Sequence, residues 1–265
     1  MNELDTALDR CRWSDYESAG SATEHVFALT LYHDDVVQPT LHLLNDKLLE
    51  LENSDELGAD DRHDDYATMY QATVEGYILV VQSMWERGLR NLLIARARHR
   101  RLGTAVLEQL KRSTWLKPNH VDLHTHFEEL MELPLAGFDS YDDLNLLQLL
   151  GNSFRHGDGD SAKRLHDRCP SLWINWLRPG TEIQMRGKVL LRIPDDSPEH
   201  PSIDRISLPA KVLEQMIRSV IWFWEDVEYV RLRSMPGPSS ERRAKLHKQR
   251  LERSLRPTRR VWSPG

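Results

Sequence analysis

Two stretches of helical periodicity, each more than thirty residues long, leave this chain few folds to choose from. In residues 21–53 apolar side chains recur at Val26, Leu29, Val36, Val37, Leu41, Leu44, Leu48 and Leu51, close to the helical period of about 3.6 residues. Pro39 interrupts the run and predicts a kink or break, because its ring removes a backbone donor. The second run, residues 64–101, carries Met69, Tyr70, Val74, Tyr77, Ile78, Val81, Trp85, Leu89, Leu92 and Leu93 on one broad face. Aspartates open it and Arg96, Arg98, Arg100 and Arg101 close it, an order that complements the helix dipole. Residues 54–65, acidic and holding Gly58, read as a loop, so the two helices are expected to form an antiparallel pair in a bundle.

Shorter helices are expected over residues 104–113, 119–133, 140–156 and 161–168. Ser140 followed by Asp143 resembles a capping-box start. Residues 188–193 and 203–208 read as two strands of a β-ribbon with prolines between them. Pro209 opens a last long helix, which Pro236-Gly237-Pro238 ends. The predicted fold class is therefore all-α: a helical bundle with two long antiparallel helices, several short helices and a small β-ribbon (188–208) before the last long helix. Residues 1–235 form the helical domain and 236–265 a basic, loosely ordered tail.

Charge is unevenly divided. The net charge is −6, yet residues 236–265 hold nine Lys and Arg against two Glu, so the tail carries +7 and the remainder −13. Arg242, Arg243, Lys245, Lys248 and Arg250 give the tail the character of a basic arm, able to attract a phosphate backbone or to dock on the acidic body. No signal peptide opens the chain, and the apolar stretch at 76–85 is too short to span a bilayer, so a cytoplasmic protein without a membrane partner is expected. Cys11 and Cys169 lie far apart and outside any CxxC spacing, which fits two reduced thiols.

The chemistry concentrates in residues 140–156. On a helical wheel Leu146, Leu147, Leu150 and Phe154 gather on one side, and Asn145, Gln148, Asn152 and His156 on the other, with Leu149 among them. Asn152 and His156, four apart, share a face, and Arg155 lies at its edge. An imidazole moves protons near neutral pH, a guanidinium holds phosphate and an amide orients either group. That trio suits a phosphodiester. A helix-terminal, solvated histidine is the plainer reading of His156.

The run Asn152-Ser153-Phe154-Arg155-His156-Gly157, late in such a bundle, resembles the Arg-Asn-x-x-x-His motif of the HEPN superfamily (higher eukaryotes and prokaryotes nucleotide-binding). The wider set Asp142, Leu144, Leu147, Leu150, Asp158 and Gly159 strengthens the likeness, as does Trp85-Glu86-Arg87-Gly88-Leu89-Arg90 on the preceding long helix. The resemblance implies a metal-independent endoribonuclease of a toxin–antitoxin or phage-defence type, with an antitoxin or defence-complex partner. It also implies a homodimer whose two motifs face one cleft around RNA. On that reading His156 is the acid–base group, Asn152 and Arg155 orient it and bind phosphate, and Glu86 and Arg90 support the site. No cofactor or metal is expected. The sequence departs from the motif at Gly151, where the family has Arg. Gly151 signals either a non-catalytic RNA-binding, regulatory or scaffold relative, or a tight approach between helices.

The other motifs are weaker. His120 and His124 have zinc-ligand spacing and His126 is near, but Val121 stands where a HExxH helix needs Glu. Surface histidines are the simpler reading. Asp158-Gly159-Asp160 opens like a calcium loop and lacks its later ligands. Trp173, Trp176, Trp222 and Trp224 read as core or interface.

Overall fold

The computed structural model describes residues 6–115, 122–185, 188–237 and 239–264. It is an all-α bundle carrying one two-stranded ribbon. After a short α1 (Ala7–Arg10), helix α2 (Ala22–Tyr32) runs through a π turn (His33–Val37) into α3 (Gln38–Glu52). The backbone stays helical across the junction. Pro39 thus does not break the helical path: it sits in the first turn of α3, just after the π turn, where a missing donor is tolerated.

Helix α4 (Ala59–His99), 41 residues long, is the spine. It begins inside the acidic stretch expected as a loop at 54–65, because Gly58 adopts a left-handed conformation (φ 81°) and Asp60 and Asp61 favour the first turn. Helix α3 folds back against α4, which also packs on α5 (Thr104–Arg112), α6 (Leu123–Met131), α7 (Tyr141–His156) and α9 (Ala210–Ser234). Helix α8 (Asp160–Arg168) packs on α7. An aromatic cluster fills the centre: Trp85 meets Phe223 at 4.4 Å and Trp224 at 5.9 Å, and Phe138 meets Phe223 at 4.7 Å. Gly88 admits this packing, since a Cβ there would stand 2.7 Å from Trp224 Cζ2. Trp173 and Trp224 are buried, as expected. No helix among the described residues is long and apolar enough to cross a membrane. Cys11 and Cys169 are free thiols, and burial pushes Cys169 up to about 11.

Three expectations need correction. The ribbon pairs β1 (Glu182–Met185) with β2 (Lys188–Arg192), antiparallel and with a bulge at Ile183/Gln184, instead of joining 188–193 to 203–208. Residues 203–208 spend their backbone donors elsewhere: Ile203 on the Asp158 carboxylate (2.6 Å), Ser207 on the Leu172 carbonyl (2.7 Å) and Leu208 on Gln71 (3.2 Å). Ser140 makes no capping hydrogen bond. Its expected partner Asp143 is buried and accepts from Gln215 (2.9 Å), Ser219 (2.6 Å) and both ends of the Arg260 guanidinium (2.9 and 2.7 Å).

The third correction concerns the tail. It is not loose: residues Ser240–Ser254 form α10, packed on α9, followed by a 3₁₀ turn at Arg256–Arg259. Buried Asp226 binds Arg253 (3.0 Å) and Arg256 (2.7 Å), both themselves buried. Charge asymmetry docks the tail on the acidic body. Removing one partner of a buried ion pair strands the other charge, so Arg256→Ala is expected to cost about 3 kcal/mol in urea unfolding. A loss below about 1 kcal/mol would match an exposed pair and would mean that the tail is not docked in solution.

Candidate functional site

Helix α7 presents Asn145, Gln148, Asn152 and His156 along one stripe, and that stripe walls a cleft of about 570 Å³. The facing wall is α4, which supplies Glu86 and Arg90. Thr114 and Trp115, beyond α5, and Ser161 and Arg164, on α8, complete the lining together with Leu149 and Arg155. All five residues expected in or beside the site, Asn152, Arg155, His156, Glu86 and Arg90, therefore line one cleft. The spacing of α7 makes this possible: positions three and four apart share a face, and the leucines of the opposite face enter the core.

The cleft is held together by Gln82, a buried residue one turn before Glu86. Its Oε1 accepts from Arg155 Nη2 at 2.6 Å, and its Nε2 donates to Gln148 Oε1 at 2.7 Å and to Glu86 at 3.3 Å. To do so it crosses directly over Gly151, where a Cβ would stand only 1.7 Å from Oε1. Gly151 is thus a tight inter-helix approach. A side chain there would displace the end of Gln82.

Arg155 is fixed at its base. Its Nε donates to the Gly151 carbonyl (3.1 Å), and Nη2 donates to Gln82 and to Asn152 Oδ1 (3.3 Å). A guanidinium has five N–H donors, so Nη1 keeps its pair for an incoming oxygen. Glu86 accepts from Arg90 at 2.8 Å, and Arg90 also reaches the Ser113 carbonyl. Trp115 Nε1 donates to Asn145 (3.3 Å). Gln148 is 2% exposed, and its Nε2 has no partner among the described residues, leaving a buried donor in the cleft wall. His156 and Arg164 are exposed and form no ion pair among the described residues. Arg90, Arg155 and Arg164 against Glu86 alone give the lining a charge of +2 with His156 neutral, on a chain whose net charge is −6. Such a site favours an anion.

Helix α7 stops at His156 because Gly157 takes φ 71°, ψ −147°, a backbone region restricted almost wholly to glycine. The imidazole therefore sits at the C-terminal end of α7.

The other candidates fall elsewhere. Arg242, Arg243 and Arg250 line a separate cavity of about 480 Å³ with Arg12, Arg233 and His247. Lys245 bridges Glu228 at 3.4 Å, and Lys248 is exposed. None of these tail residues lines the His156 cleft. His120 lies outside the described residues. His124 packs edge-on against Trp115 (4.4 Å) and Tyr141 (5.5 Å), and His126 is buried, so these two are packing residues and not surface histidines. Asp158 caps Ile203 and does not shape a calcium loop. Sequence reasoning missed Gln82, Trp115 and Arg164; for Gln82 the available signal was a polar residue within the apolar face of α4. No family model, curated protein or solved structure matches the chain.

The crossing at Gly151 yields a double-mutant cycle. Alanine favours a helix over glycine by about 1 kcal/mol. Displacing Gln82 forfeits hydrogen bonds to Gln148 and to the charged Arg155, together about 2–3 kcal/mol. Gly151→Ala is expected to destabilise by about 1–2 kcal/mol alone, and to stabilise by up to about 1 kcal/mol in a Gln82→Ala background. Additive effects in urea unfolding would show that the two residues do not touch.

Proposed function

We propose that this chain is a HEPN-like protein acting on RNA, in which His156 moves the proton and Arg155 and Asn152 hold the phosphate. The observation that carries this reading is the convergence of Asn152, Arg155 and His156 with Arg90 and Arg164 on one positively lined cleft. In the reaction His156, as base, takes the proton from a ribose 2′-OH. The 2′-oxygen bonds to the adjacent phosphorus, and the bond from phosphorus to the 5′-oxygen breaks. The leaving oxygen takes a proton from the second copy's His156, which enters the step as imidazolium and leaves it as imidazole. The products are a 2′,3′-cyclic phosphate and a 5′-OH. Arg155 Nη1 neutralises the charge that grows on the phosphoryl oxygens, and buried Gln148 Nε2 offers a further donor. A cleft holding one imidazole supplies one proton carrier, so the mechanism calls for a homodimer.

The expected result is cleavage of total RNA in the presence of chelator, ending in cyclic phosphate. His156→Ala should lower the rate by about 10²-fold or more. Unchanged cleavage in that variant would reject the catalytic role. Light scattering should find a dimer, and a monomer with and without RNA would remove the second imidazole.

Gly151 favours a second reading, a non-catalytic RNA-binding or regulatory relative, since the motif's arginine is missing and Arg155 is tied back to Gln82. Under it, the native protein binds RNA with salt-dependent affinity and cleaves none. Arg164→Ala and Arg155→Ala should then each weaken binding and flatten its salt dependence.

A further inference from the structure

Away from the cleft, helix α8 and the irregular segment after β2 bring two imidazoles together edge-on. His166 Nδ1 and His200 Nδ1 are 3.3 Å apart although 34 residues separate them. The Asp167 carboxylate lies 3.7 Å from His200 Nδ1, and one ligand atom from each of the three residues falls within 4.8 Å of the others. We propose that His166, His200 and Asp167 bind a divalent metal ion of the zinc class, bracing the 193–202 segment against α8.

The 3.3 Å spacing of the two imidazoles suits this ion. Tetrahedral zinc with Zn–N bonds of about 2.0–2.1 Å sets its nitrogen ligands about 3.3–3.4 Å apart. An octahedral ion with similar bonds would set adjacent nitrogens about 3.0 Å apart. Two imidazoles and a carboxylate are a borderline donor set, which zinc accepts and calcium or magnesium does not seek.

The ligands are largely in place before binding. The His166 ring is 5% exposed and packs edge-on against Trp173 (5.3 Å) and Trp176 (4.8 Å). His200 lies between Pro198 and Pro201 in a segment with no regular secondary structure, and Asp158 anchors that segment at Ile203. Arg178 acts on the His166 ring electrostatically and disfavours a dication, and Asp167 offsets it. Three protein ligands leave a fourth position for water, next to the cavity of about 380 Å³ that His200 lines.

The experiment uses full-length, tag-free protein stripped with EDTA, desalted and titrated with Co(II). The expected result is the visible absorption of tetrahedral Co(II), saturating at one equivalent and bleached by Zn(II). His200→Ala and the exposed-site variant Asp167→Ala should each weaken Co(II) binding by at least about tenfold, the lower bound for losing even an outer partner of a metal ligand. Far-UV circular dichroism checks that both variants are folded. No tetrahedral band in the native protein, or wild-type affinity in both variants, would overturn the site. The readout is spectroscopic and stands apart from any activity on RNA.

Discussion

A single side chain crossing a single glycine fixes the cleft. Gln82 lies across Gly151 so closely that a Cβ there would push it aside, and from that position it binds Gln148 and Arg155 on α7 while touching Glu86 on its own helix. A buried amide has two donors and one acceptor group to satisfy, and leaving them unpaired is costly. Gln82 satisfies them only when α4 and α7 stand at this separation and rotation. The position of every other lining group on these two helices follows from that arrangement.

The contents of the cleft were partly legible in the sequence. The period of α7 places Asn145, Gln148, Asn152 and His156 on one stripe, and Glu86 and Arg90 lie one turn apart on α4; those are local facts, and local periodicity carries them. Gln82 was hidden because it sits among Ile78, Val81 and Trp85, where an apolar pattern invites one to pass over a lone amide. Arg164 and Trp115 enter from other elements, and only tertiary packing decides which elements meet. The same limit explains the ribbon. Residues 203–208 have the composition of a strand, yet Asp158, Leu172 and Gln71 take their backbone donors first.

Two kinds of positive charge coexist in this molecule. Arg253, Arg256 and Arg260 are spent on the buried carboxylates Asp226 and Asp143, so much of the basic character of residues 236–265 serves the fold. Arg155 and Arg164 border open space. A count of charges along the chain cannot separate these classes, because pairing depends on which acidic side chain is buried opposite. The acidic body is thus partly an artefact of counting: some of its carboxylates are sockets for the tail.

Asp143 belongs to the same helix as His156, and its guanidinium partner Arg260 lies 117 residues later in the chain. During synthesis the helix bearing the cleft emerges from the ribosome long before the cation that neutralises its buried acid. The other two partners, Gln215 and Ser219, also come later in the chain and supply only neutral donors. Losing the residues that follow α10 would therefore strand a buried carboxylate of α7 without its cation, although Arg260 itself lies outside the cleft.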